Sequence, residues 1–179
     1  MSRSMALLAL VFVASTLMAA DEPEGPKEKP EISVAFAVPL HHGQRSLNDS
    51  GHFHVLVTNI SDRPVRLWTD RYSWGYGNLS FEWTDDDGKA TKIKKKAIGW
   101  DKNFPDWLEI GAGESHVLNV EFAGDAGKRI WENVPTADGK KPRLVKLRAV
   151  YTIKPDEQSA KHGVWTGRVE SAEGTYAIW

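Results

Sequence analysis

The sequence predicts an all-β fold, an antiparallel sandwich of seven to nine strands, on three observations. Apolar residues recur every second position in short runs, as Phe53, Val55 and Val57 do between His54, Leu56 and Thr58. That period places successive side chains on opposite faces of a half-buried strand. The runs are separated by residues with turn chemistry, such as Asn59, Ser61, Asp62 and Pro64, after which Val65 and Leu67 restart the alternation. Few stretches can sustain a helix of ten residues; Pro155 to His162 has room for one short turn.

Taken in order, Ile32, Val34, Phe36 and Val38 form a first strand, the 53–58 and 65–67 runs a second and third, and Leu79, Phe81 and Trp83 a fourth. Asp87-Gly88 ends the fourth with a strong hairpin signal, because the turn needs positive φ. A fifth strand starts at Lys89, and its lysines at 92, 94, 95 and 96 suit a sheet edge, where charge discourages pairing with other chains. Trp107, Leu108 and Ile110 lead into a tight turn at Gly111–Glu114, and Leu118, Val120 and Phe122 make the next strand. Residues 123–143, rich in glycine, proline and charge and containing Asp138-Gly139, read as a long loop with room for a small hairpin. Val145 to Ile153 is the longest clean alternation, and Val164–Val169 and Thr175–Trp179 close the domain. Short strands at this spacing point to an immunoglobulin-like sandwich, with a closed barrel as the alternative.

Residues 1–20 have the form of an export signal. Arg3 supplies the positive start, Met5–Met18 is an almost unbroken apolar run, and Ala19-Ala20 offers small residues for cleavage. Fourteen residues are too few for a spanning helix, which needs about 20. Residues 21–30, DEPEGPKEKP, lack large apolar side chains and read as a flexible linker, leaving residues 31–179 as one domain. Losing the signal removes one of 23 basic residues and none of 24 acidic ones, for a net charge of −2. That balance argues against a nucleic-acid partner. With no cysteine, the chain has neither a disulfide nor a lipid-anchor site, which leaves no membrane anchor once the signal is gone and suits a bacterial periplasm or exterior.

The blocks LVTNISDRPVRL and LEIGAGES resemble those of bacterial immunoglobulin-like domains, including the bacterial intracellular proteinase inhibitor family. VTNISDRPVRLW, NLSFEWTDDDGK, GWDKNFPD and the KLRAVY and KHGVWTGRVES blocks are similar to a group of small exported bacterial proteins of unassigned activity. The resemblance covers most of residues 53–171 and implies the sandwich fold, with no activity attached. The export signal sets this chain apart from an intracellular inhibitor.

Catalytic signatures are missing: the chain has no GxSxG elbow, no HExxH helix and no phosphate-cradling glycine loop. The expectation is therefore a protein that is not an enzyme and takes no cofactor. His41, His42, His52 and His54 lie close in sequence, but without fixed ligand spacing they read as solvated histidines. The eight tryptophans say more. Trp68, Trp83 and Trp165 fall on strands and read as core. Two irregular segments carry the rest of the interest: DRYSWGYG with Tyr72, Trp74 and Tyr76, and IGWDKNFPDW with Trp100, Asp101, Lys102, Asn103 and Phe104. Counting strand reversals puts residues 39–52, 70–77 and 97–106 at one end of the sandwich, with Trp74 and Trp100 within reach of each other. Rings gathered there either plug the core or form a binding surface for an extracytoplasmic protein or a glycan. The expected function is that of an exported binding or structural module. A proteinase inhibitor acting through residues 97–106 and a carbohydrate-binding domain are the alternatives.

Overall fold

A computed structural model describes residues 30–41, 43–47, 52–85, 87–122, 130–137 and 141–179. The proposed export signal and nearly all of the linker lie outside the described residues, as do His42 and the 123–129 part of the long loop. The described chain is all-β with antiparallel strand pairing.

In chain order the strands are β1 (Ile32–Ala37), β2 (Leu40–His41), β3 (Gln44–Arg45), β4 (Phe53–Asn59) and β5 (Val65–Trp68), followed by the helical turn α1 (Ser73–Tyr76). Next come β6 (Leu79–Thr84), β7 (Ala90–Lys95), β8 (Trp107–Ile110), β9 (Ser115–Val120), β10 (Trp131–Glu132) and β11 (Arg143–Ile153). Helix α2 (Glu157–His162) precedes β12 (Gly167–Glu170) and β13 (Gly174–Ile178). These thirteen segments among the described residues exceed the seven to nine expected, in part because the apparent loops contain the two-residue strands β2, β3 and β10.

One sheet has the order β1-β4-β9 and the larger one β10-β7-β6-β11-β12. The eleven-residue β11 shares one edge between two partners, β13 along Arg143–Leu147 and β12 along Val150–Ile153. Ser171 bridges the junction: its backbone N–H donates to Ala149 O, and its hydroxyl accepts from Ala149 N, both at 2.9 Å. Strands β5 and β8 form a separate two-stranded ladder, Val65 opposite Ile110 and Trp68 opposite Trp107, and Arg66 of β5 also bridges Val164.

The core lies between the two larger sheets. Phe53, Val55, Val57, Leu118 and Val120 from one meet Phe81, Val145, Leu147 and Ala149 from the other, all buried. Phe81 packs on Phe36, Phe53, Phe122 and Trp131 with ring centroids 5.2–5.9 Å apart. Edge-to-face geometry dominates these contacts and adds to the gain from burial. The alternating residues therefore point where the period-two pattern assigns them. Trp68 and Trp83 are buried, and Trp165 is half-buried against the same core.

Both Gly-containing turns form as their chemistry requires. Asp85 Oδ1 accepts from the backbone of Asp87 and Lys89, and Gly88 takes φ +79°. Gly113 takes φ +77°, while Glu114 folds its carboxylate back onto Gly111 N at 2.9 Å.

Two expectations need correction. First, β7 is not a bare charged edge, since β10 covers Lys94 and Lys95 and the Lys95 side chain is only 10% exposed. Second, the described part of residues 39–52 does not join the other two loops. Ser46 bridges Ala177 on β13, which lies opposite Leu144 near the start of β11, whereas Asn78 O accepts from Thr152 N near its far end. Eight residues of strand separate Leu144 from Thr152, about 26 Å at strand rise. The strand count failed because β5 is a four-residue strand paired outside both larger sheets and does not carry the chain across the domain.

Truncating Leu147 to alanine should lower the unfolding free energy by about 2–5 kcal/mol, the usual cost for a fully buried leucine. Lys94→Ala should change it by about 0.5 kcal/mol or less, because that side chain is exposed and only 3.6 Å from a similarly solvated Glu132. Urea denaturation of both variants tests the assignment of faces.

Candidate functional site

Residues 69–78 and 97–106 meet beside the β5–β8 ribbon. The ribbon fixes their roots: Thr69 N donates to Asp106 O at 3.0 Å, and the Thr69 hydroxyl donates to Asp106 Oδ2 at 2.9 Å. A second clamp lies further out, where Ser73 N donates to Asn103 Oδ1 at 3.1 Å and Asn103 Nδ2 donates to Ser73 Oγ at 2.8 Å. Asn103 therefore holds the two segments together.

The 70–77 segment is not extended, as a loop reading implies. Tyr76 N donates to Tyr72 O at 2.9 Å and closes one helical turn. Gly75 makes this turn possible. It lies so close to β5 that a Cβ there would be 1.9 Å from Thr69 O, inside the carbonyl oxygen. Four residues of helix bring Tyr72 and Tyr76 to one side, and Trp74 lies about 200° round from Tyr72. The structure follows that division. Trp100 packs on Tyr72 at 6.5 Å and on Tyr76 at 5.5 Å, and Phe104 packs edge-on against Tyr72 at 6.1 Å. Trp74 packs instead on Trp68 at 6.2 Å. The two loops do converge, but the expected pairing of Trp74 with Trp100 gives way to two separate groups, because helical and not extended backbone connects Tyr72 to Tyr76.

Exposure divides the first group further. Tyr72, Tyr76 and Trp100 are half-buried, while Phe104 is 59% exposed and Asp101, Lys102 and Asn103 are exposed around it. The rings thus serve both readings: their inner edges seal the ribbon and their outer surfaces face solvent. Their planes are inclined by 45°, 88° and 80° across the three contacts, so no two form a flat platform.

Beneath Tyr76 lies a feature that the sequence pattern did not signal. The Lys95 ammonium sits 4.6 Å from the Tyr76 ring centroid, 5.7 Å from that of Trp131, and 3.5 Å from Asp70. Burial pushes the Lys95 ammonium below the ordinary lysine value, and Asp70 partly offsets that. A cation over two ring faces with one carboxylate partner fixes Tyr76 against the sheet. Read as one more lysine in a charged run, Lys95 gave no sign of this role.

The Trp74–Trp68 pair continues through Trp68 to a further set of rings. His162, in the last turn of α2, stacks on Trp107 at 4.5 Å and meets Trp68 edge-on at 5.8 Å, while the Arg66 guanidinium lies over Trp107 at 6.0 Å. Helix α2 is set by Asp156, whose side chain accepts from Ser159 N while the Ser159 hydroxyl exchanges bonds with the Asp156 backbone, a reciprocal capping box. Of the clustered histidines, His54 bonds Asn119 through Nδ1 at 2.9 Å. Among the described residues no three His, Asp or Glu side chains converge as metal ligands.

No protein-family model and no curated protein matches this chain.

Replacing Asp70 by asparagine should destabilise the fold by about 1–2 kcal/mol at pH 7, less than the loss of a fully buried partner because Asp70 is half-exposed. Without Asp70 the folded-state pKa of Lys95 falls further below its unfolded value. The deficit is therefore full where Lys95 is protonated in both folded proteins and should shrink as pH rises above 7 through the range where the folded state releases that proton. His116 also senses Asp70, but burial holds its imidazole below the ordinary value, so it is neutral throughout that range. Denaturation midpoints of the two proteins across the range provide the measurement.

Proposed function

We propose that this protein is an exported, non-catalytic binding module, an immunoglobulin-like domain that engages another extracytoplasmic protein through the surface formed by α1 and residues 97–106. The observation that carries the reading is the solvent-facing Phe104, backed by Tyr72 and Trp100 on two segments that Asn103 clamps together. Exposed aromatics on a pre-ordered frame favour binding, because little conformational freedom is lost when a partner docks. The inclined ring planes favour the side chains of a protein partner over a flat sugar ring, which would stack best on coplanar faces. Asp101, Lys102 and Asn103 supply a polar rim.

The clamping of residues 97–106 at Asp106 and Asn103 also supports the inhibitor reading, since an inhibitory loop must hold its shape. A panel of peptidases separates the two. Inhibition abolished by Phe104→Ala identifies an inhibitor, and stable association without inhibition identifies an adaptor.

A photo-crosslinking residue at position 104 should trap one defined protein species in the native envelope, whereas the same residue at position 94 should not. Trp100→Ala should remove the species crosslinked from position 104, and Phe104→Ala should remove the species captured by affinity pull-down, with little change in unfolding midpoint for Phe104. A large loss of stability at Phe104 instead makes the ring a core plug and sinks the interface. For export, N-terminal sequencing of the protein recovered outside the cytoplasm should read from Asp21; material that still begins at Met1 would contradict it.

A further inference from the structure

We infer a second binding site, distinct from the Phe104 surface, that takes a sugar acid: a polyhydroxylated ring carrying a carboxylate. It is a cleft of about 540 Å³ bounded by Trp74, Asn78, Lys92, Thr152, Lys154 and Arg168, where α1 and the end of β11 overhang the outer face of the larger sheet. The volume lies within the ordinary range for small-molecule sites.

The charge of the cleft follows from strand register. Glu82 on β6 lies opposite Lys92 on β7 and opposite Arg148 on β11. Such cross-strand pairs would normally neutralise each other. Here the Glu82 carboxylate is already taken: Oε2 accepts from Arg148 at 2.6 Å and Oε1 accepts from Arg168 at 2.9 Å. The same two arginines also reach Glu170, at 2.9 and 2.6 Å. Two arginines and two glutamates thus close a neutral network. Lys92 has no carboxylate within ion-pair distance among the described residues, and neither has Lys154. The carboxylate of Asp156, the acid in the lining, is engaged by Ser159 N as the cap of α2. Two uncompensated ammonium groups therefore face one concave site. As compact point charges they suit a small anionic group such as a carboxylate by charge, without the bidentate geometry of a guanidinium.

The walls define the rest of the ligand. Trp74 is half-buried, with its ring held on Trp68, and provides one apolar wall. Thr152 supplies a hydroxyl along the floor, and Asn78 borders it. One indole wall, a hydrogen-bonding floor and a cationic mouth fit a sugar ring with an acid substituent better than a fatty or aromatic acid, which would leave the floor groups unpaired.

Titration calorimetry of the full domain with glucuronate, glucose and inorganic phosphate tests this. Glucuronate should bind at least about tenfold more tightly than glucose or phosphate. Lys92→Gln and Lys154→Gln should each weaken it by about tenfold, as should Trp74→Ala. Phe104→Ala should leave it unchanged, which separates this site from the proposed protein interface. Lys92 and Lys154 are exposed, so their variants should keep the wild-type unfolding midpoint. Equal binding of glucose removes the role of the lysines, and equal binding of phosphate removes the sugar. Absence of glucuronate binding, or binding that both lysine variants retain, overturns the proposal.

Discussion

The arrangement of this domain depends on one buried asparagine. Asn59 ends β4 fully buried, and every polar group it owns is bonded. Its Nδ2 donates to Arg63 O at 2.7 Å and to Ile110 O at 2.9 Å, while Oδ1 accepts from the Ser61 backbone at 2.9 Å and from its hydroxyl at 2.7 Å. Its backbone N–H donates to Glu114 O and its carbonyl accepts from Gly113 N, both at 3.0 Å. One side chain thus shapes the 60–64 turn, holds the end of β8 and anchors the Gly113 turn. A group that satisfies all its hydrogen bonds while buried is stabilising, whereas removing it would leave several buried partners unmatched. By tying the turn to Ile110, Asn59 sends β5 alongside β8 and away from the larger sheets. The ribbon that results carries Trp68, Thr69, Asp106 and Trp107, and from its tips spring both aromatic segments. The candidate binding surface is therefore set by a residue at the opposite end of the ribbon.

Strand identity was legible in the sequence wherever one face of a strand is buried and the other wet. Phe53 to Thr58 shows this best, with Phe53, Val55 and Val57 buried and His54, Leu56 and Thr58 more exposed between them. The Asp87-Gly88 and Gly111–Glu114 turns were legible because positive φ and short side-chain acceptors leave a local signature. Partner choice was not. Nothing local in Val65–Trp68 says that it pairs with Trp107–Ile110; that follows from Asn59 reaching across fifty-one residues to Ile110. The two-residue β10 was equally silent, although Trp131 belongs to the central ring cluster.

The candidate site was half legible. Counting the two strand reversals between them brought the two aromatic segments together, but it could not reveal the helical turn that sends Trp74 one way and Tyr72 and Tyr76 the other. Lys95 shows the opposite failure. The other lysines of KIKKK are solvated, and only the cover supplied by β10 and α1 makes Lys95 a buried cation between two rings. Composition cannot distinguish one lysine of such a run from the next.

Gly75 gives the site a signature of another kind. Aromatic residues can exchange for one another over evolutionary time while an interface keeps its character, and an alignment would then blur at positions 72, 74, 100 and 104. Position 75 has no such latitude, since any side chain would occupy the space of Thr69 O. A descendant that lost this glycine would have to lift α1 from β5 and redirect every ring it carries. Ancestry of the surface should therefore be traced through the glycine in S-W-G-Y, and a homologue rich in tryptophan but lacking it would have arrived at a different surface.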